Sequence, residues 1–208
     1  MRNSVATNVS RDTRPPWHRP PPLIAHPAIR TRGTIGGSIA YADPAAELPA
    51  CIVALDADIV ARGGNGERRI PAAEFFLGLY ETALAEFEMI VAIEIPKIGL
   101  TRKQIVAELA RRSGDYAIAG LVLAADVDGN MLENMRAVFF GVGDAPVLAR
   151  GAMDALDAGA GIDAACAALD QDLDPAADLQ GGHAMKRHLA RVLLRRAVNS
   201  LGSSRAAA

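Results

Sequence analysis

Two long apolar runs flank the tripeptide Asp128-Gly129-Asn130: "DYAIAGLVLAADV" (115–127) before it and "NMRAVFFGVG" (134–143) after it. Asp-Gly and Gly-Asn pairs supply the positive φ of a tight turn, so the runs predict an antiparallel hairpin. Such a hairpin needs further partners to be stable. "QIVAELARR" (104–112), ambiguous by period alone, is therefore read as a third strand beside it. After Gly143 the pattern turns helical. "APVLARGAMDAL" and "DAACAALDQDL" predict two Ala-rich helices, and "HAMKRHLARVLLRRAVNSL" a third. On that third helix Met185, Leu189, Val192, Leu193 and Ala197 fall on one face, with Lys and Arg mostly opposite. Strands followed by helices make an α+β pattern.

The upstream half is mixed. Asp43-Pro44 predicts a helix start, Asp as N-cap and Pro in the first turn, with Leu48, Cys51, Ile52 and Leu55 recurring over 44–55. "ADIVARG" predicts a strand, "GGNGE" a turn with Asn65-Gly66 as its hairpin signal, and "RRI" a short return strand. "PAAEFFLG" predicts a short helix closed by Gly78, and "EMIVAIEIP" a strand ended by Pro96. "GLTRK" reads as a hinge. The expected organisation is a disordered Pro/Arg-rich tail over 1–23, a first unit over 24–98 and a second over 103–202. In the tail, "RPPWHRPPP" blocks helix and sheet, and Trp17 and His18 are assigned to unstructured chain.

Composition narrows the function. Half of the 208 residues are apolar but only 4% are aromatic, so the core must be aliphatic. A net charge of -2 argues against a general nucleic-acid binder. No apolar run reaches the ~18 residues of a membrane span. The first residues lack the apolar stretch of a secretory signal, so a cytoplasmic location is expected. Cys51 and Cys166 are far apart, which excludes a cysteine-ligated cluster within the chain and suggests small buried hydrophobes. His18, His26, His183 and His188 form no nucleophile or metal pattern.

The stretch "IRTRGTIGGSIAYADPAAELPA" (29–50) carries a different signal. Adjacent glycines let a ligand approach the backbone, and exposed N–H groups at a helix start attract anions. Thr34 and Ser38 add hydroxyl donors. On these residues alone, an ordinary turn and a phosphate site both remain open. The stretch is neither a Walker loop nor the dinucleotide fingerprint.

In its wider context, "HPAIRTRGTIGGSIAYADPAAELPA" resembles the second flavin-binding segment of the FAD-binding medium subunits of molybdenum hydroxylases, the carbon monoxide dehydrogenase, xanthine dehydrogenase and aldehyde oxidase group. "RRIPAAEFFLG", "MIVAIEIP", "ELARRSGDYAIAG", "GVGDAPVLARGA" and "KRHLARVLLRRAV" resemble successive later motifs of that family, so the likeness covers about Ile24 to Leu201. It implies the second lobe of a PCMH-type FAD-binding domain, then a C-terminal domain of a three-stranded antiparallel sheet packed with helices. It further implies that Thr34, Ile35, Gly36, Gly37 and Ser38 contact FAD near its phosphates and ribityl chain, and that Glu47 hydrogen-bonds the cofactor. Ile90 would lie beside the isoalloxazine ring, and Asp115 and Tyr116 in the motif that approaches the flavin. Arg111 and Arg112 are expected to be structural or interface groups. The chain itself would carry no catalytic residue and no metal.

The family's role, carried over, is that of an oxidoreductase subunit passing electrons from iron–sulfur clusters through FAD to an acceptor. The molybdenum cofactor and 2Fe-2S clusters would belong to a large and a small partner subunit, in a dimer of heterotrimers. One departure stands out: the family's first-lobe loop, of the A-G-G-x-S type, has no counterpart before Thr34. The alternative expectation is therefore a truncated, flavin-free remnant or assembly module that only docks to partners.

Overall fold

The computed structural model describes residues 7–8, 31–112, 114–129 and 131–202. Its centre is an antiparallel sheet of β7 (Arg102–Leu109), β8 (Ala119–Asp128) and β9 (Met131–Phe140), with Glu108 opposite Gly120 and Gly120 opposite Phe140. Two-residue strands extend both edges: β1 (Thr7–Asn8) pairs with β7, and β10 (Val147–Leu148) with β9. The rest of the 1–23 tail, His26 and Asn130 of the turn lie outside the described residues.

Both faces of this sheet are covered. Ile105, Leu121, Leu123, Ala137 and Phe139 face the C-terminal helices α4 (Arg150–Asp157), α5 (Gly161–Asp172) and α6 (His183–Gly202). Val106, Val122, Val138 and Phe140 point the other way and join the core of the 31–98 region. A sheet buried on both sides needs apolar residues in succession rather than alternation, which accounts for the unbroken run in "AIAGLVLAA".

The 31–98 region starts with helix α1 (Ile35–Tyr41), followed by α2 (Glu47–Ala54). A second sheet has the order β3-β2-β6, from β2 (Asp58–Gly63), β3 (Gly66–Pro71) and β6 (Met89–Glu94). Between β3 and β6 lie a short helix α3 (Ala72–Phe75) and a hairpin of β4 (Phe76–Gly78) and β5 (Glu81–Thr82). Arg68 donates from Nε and Nη2 to the Glu88 carboxylate and again to Ala83 O, pinning the loop before β6.

Four local expectations need correction. Helix α1 stands where the sequence left an ordinary turn open; Thr34 caps it through its hydroxyl, which accepts from Gly37 N at 3.0 Å. The next helix begins at Glu47 rather than Pro44. Asp43 closes a turn instead, its Oδ1 accepting from Ala45 N at 2.9 Å, while Pro44 O accepts from Gly141 N at 2.8 Å at the end of β9. That carbonyl is therefore unavailable to a helix. "PAAEFFLG" is helical only to Phe75, because Phe75 O accepts from Ala83 N and draws Phe76–Gly78 into the β4–β5 hairpin.

The inward stripe of α6 is Lys186, Ala190, Leu193, Leu194, Ala197 and Leu201, with Met185 exposed. Lys186 can point inward because its ammonium pairs with Asp178 at 2.6 Å. Among the described residues no helix is long and apolar enough to cross a membrane.

Candidate functional site

The start of α1 presents backbone donors outward. The first N–H groups of a helix have no intrahelical acceptor. Thr34 Oγ1 takes Gly37 N, and Ser38 N bonds Thr34 O at 3.1 Å, so the groups left facing outward are those of Ile35 and Gly36. A Cβ built on Gly36 would meet nothing within 4 Å, so this face is open. Ile39, fully buried, anchors the helix, which packs on both α2 and β6.

Past α1, Ala42 in the left-handed region ends the helix and the Asp43 turn leads into α2. Glu47 stands in the first turn of α2, half-buried. Its carboxyl faces that of Glu108 on β7, which is only 5% exposed. Burial, then the charge of Asp43, pushes the Glu47 carboxyl up; its own backbone N–H and a hydrogen bond with Glu108 pull the other way. Burial, then the charge of Glu47 and the hydrogen bond with it, push Glu108 up to about 8. The signs agree on one arrangement: Glu108 holds the proton and donates, and Glu47 accepts as a carboxylate. The second oxygen of Glu108, Oε2, is buried without a partner, as are both polar atoms of Gln104 on the same strand.

Tyr80 and Tyr116 both feel the charge of Asp43, and Tyr41 lies against Tyr80. Tyr116, on the β7–β8 loop, hydrogen-bonds Asp43, whose charge is the first cause raising its phenol. Tyr80, at the tip of the β4–β5 hairpin with φ 56, is raised first by the same carboxylate. Its ring lies 5.0 Å from that of Tyr41, tilted by 48°. All three rings are exposed. The arrangement is a group of exposed rings around the Asp43 carboxylate, at the C-terminal end of α1.

Of the residues singled out from the sequence, Thr34 to Ser38, Glu47 and Tyr116 belong to this region. Ile90 sits on β6 opposite Ala61, half-buried against the core, with its neighbours Met89 and Val91 exposed. Asp115 is exposed, its N–H bonding Arg112 O at 3.2 Å, and it stands apart from the carboxyl cluster. Arg111 ties the β7–β8 loop to Leu179 O, a structural contact. The sequence reading missed Tyr41, Tyr80 and Glu108. Glu108 had a visible signal, a carboxylate in an otherwise apolar strand; the tyrosines had none, because their meeting depends on the β4–β5 hairpin. Among the described residues no group of three His, Cys, Asp or Glu is placed to hold a metal ion.

A helix start with free N–H donors, a buried carboxyl pair and exposed aromatic rings thus lie on a two-part α+β fold. The family described as "FAD binding domain in molybdopterin dehydrogenase" matches residues 2–98, and the "CO dehydrogenase flavoprotein C-terminal domain" matches 104–201. The chain belongs to the FAD-binding medium chains of the molybdenum hydroxylase type.

It is 35% identical over 182 residues to the carbon monoxide dehydrogenase medium chain of Hydrogenophaga pseudoflava, covering 86% of this chain and 63% of that protein. It is 35% identical to the 6-hydroxypseudooxynicotine dehydrogenase complex subunit alpha of Paenarthrobacter nicotinovorans, covering 83% and 60%. A solved structure of carbon monoxide dehydrogenase from H. pseudoflava, lacking the Mo-pyranopterin moiety of its molybdenum cofactor, superposes with a TM-score of 0.82 at 36% identity, covering 86% of this chain and 64% of that one. The chain thus spans 60–63% of the length of these two curated relatives.

Proposed function

We propose that the chain is the FAD-carrying, electron-transferring subunit of a molybdenum-containing dehydrogenase. It would work beside a large molybdenum-cofactor subunit and a small iron–sulfur subunit, as a dimer of heterotrimers in the cytoplasm. The observation that carries this reading is the open face of Gly36 at the start of α1, a helix that packs on β6 and on the α2 helix that carries Glu47. The residues present fit one side of such a cofactor. The Ile35 and Gly36 N–H groups, with Ser38, would hold phosphate oxygens; Glu47 would accept from a hydroxyl or imide; Tyr116 and Tyr80 would flank the ring. FAD, when bound, supplies the exchange between one-electron carriers and a two-electron acceptor. The chain's own part is to bind, orient and shield, which explains why it needs no nucleophile.

The test is to express the chain with its neighbouring large and small subunits, purify the complex and measure its flavin. The reading expects a stoichiometric complex containing FAD. A specific observation favours a second reading, a flavin-free module that only docks to partners: Leu77, Leu79, Phe87, Met89 and Val91 are exposed beside the site. A complex that assembles with no flavin would carry that second reading instead.

A further inference from the structure

We propose that Glu108 is the proton store of the flavin site, giving its proton through the Glu47 carboxylate when the site receives electrons. The inference rests on the FAD reading and deepens it. Its basis is geometry. Glu108 stands opposite Gly120 on β8, and Gly120 stands opposite Phe140 on β9. The Phe140 ring fills the space over Gly120, where a Cβ would come within 2.0 Å of Cζ. On the β8 and β9 side, Glu108 therefore has no competing polar side chain in its row. Its unpartnered Oε2 has no structural duty, unlike the Asp43 oxygen that closes a turn or the Asp172 carboxylate that caps the start of α4.

The groups facing the pair leave it no way to lose its last proton cheaply. From α2 come Glu47 and the buried Cys51, whose thiol is itself pushed up to about 12. Asp43 comes from the turn, Tyr116 from the β7–β8 loop, and Tyr41 and Tyr80 from α1 and the β4–β5 hairpin. All are acids. Among the described residues no Lys or Arg acts on either carboxyl, which favours a shared proton, with Glu108 held up to about 8.

The O–H bond of Glu108 would break as one forms on Glu47, which would offer that proton to a flavin that takes up protons as it is reduced. Glu108, then a carboxylate, would regain a proton from solvent on the side of the exposed Tyr116. Glu108 acts through Glu47 and so is a positioning residue rather than one that touches the cofactor.

The test uses the full chain and its Glu108→Gln variant, with two readouts. Infrared spectroscopy of the flavin-free protein looks for a protonated-carboxyl band that persists at neutral pH. Redox titration of the FAD-loaded protein follows midpoint potential against pH. The expected result is a band that fades as pH rises through about 8 and is absent from Glu108→Gln, together with a change of slope in potential against pH that the variant loses while still binding FAD. Absence of the band in the native chain overturns the proton store. A band with identical potential–pH curves for both proteins overturns the delivery step and leaves a structural pair. Failure of both proteins to bind FAD overturns the flavin reading and delivery together, and the infrared signal still reports whether the pair exists.

Discussion

The guanidinium of Arg136, on β9, donates from Nε at 3.2 Å and from Nη2 at 2.9 Å to the carbonyl of Val53 in the last turn of α2. The bond joins the C-terminal sheet to the helix whose first turn carries Glu47. A cation at a helix C-terminus answers both the unpaired carbonyls and the helix dipole. Burial lowers the affinity of Arg136 for its proton, which a guanidinium still keeps.

Replacing this side chain should loosen the seam between the two units. Arg136→Met leaves Val53 O with the Asp56 N–H at 3.2 Å as its remaining donor and removes the ion pair of Arg136 with Asp56. Hydrogen bonds to charged groups contribute roughly 1.5–3 kcal/mol each, so a loss of about 2 kcal/mol is expected. At about 2–4 °C per kcal/mol for a chain of this size, thermal unfolding should move down by roughly 4–8 °C. An unchanged melting temperature would mean that the seam is held by packing alone.

Gly120 should be intolerant of any side chain. An added Cβ would fall 2.0–2.4 Å from three atoms of the Phe140 ring, all in a fully buried site. Overpacking of this kind costs about 1–3 kcal/mol. Gly120→Ala should therefore lower stability to denaturant, and Gly120→Ala with Phe140→Leu should recover part of the loss, a coupling that a double-mutant cycle measures.

The Glu47–Glu108 pair fixes a direction for pH dependence. Both carboxyls are raised, Glu108 to about 8, above their unfolded values. The folded chain then binds more protons than the unfolded one between the ordinary carboxyl range and about pH 8. Stability from this pair is complete below the unfolded pKa and declines as pH rises through that window, at a slope of up to about 1 kcal/mol per pH unit. Glu108→Gln should flatten the decline, as followed by urea midpoints from acid to mildly alkaline pH. A native chain that gains stability over this window would contradict the shared proton.

Gly36 separates fold from function. Nothing lies within 4 Å of a Cβ built there, and its φ is not positive. Gly36→Asp should leave the chain as stable or slightly more so, since glycine costs a helix about 0.5–1 kcal/mol and an acid in the first turn is favoured. The same carboxylate would meet a phosphate, and FAD affinity should fall on the order of tenfold or more. Equal affinity in both proteins would move the phosphates away from α1.

How far the sequence could be read follows from what each element depends on. The β7-β8-β9 meander was legible because local turn chemistry at Asp128-Gly129 and long apolar runs agreed. The hairpin of β2 and β3 was too, although it closes at Gly63 opposite Gly66, one residue earlier than Asn65-Gly66 suggests. The start of α2 was not legible, because Pro44 O is taken by Gly141, nearly a hundred positions away in the chain. Helix α1 was hidden by its two glycines, which lower helix propensity and here leave the face open. The inward stripe of α6 was rotated by a buried Lys186, whose partner Asp178 lies in a loop that no periodicity describes. In the site, the "TIGGS" loop and Glu47 came from resemblance, whereas Glu108 and the meeting of Tyr41 with Tyr80 needed the fold.

The measurement that tests the central claim most directly is a titration of the purified 208-residue chain with FAD, followed by visible absorption. The account predicts flavin bands that shift and saturate near roughly one FAD per chain, at micromolar or tighter affinity worth about 8 kcal/mol. A spectrum of free flavin at every protein concentration would contradict it.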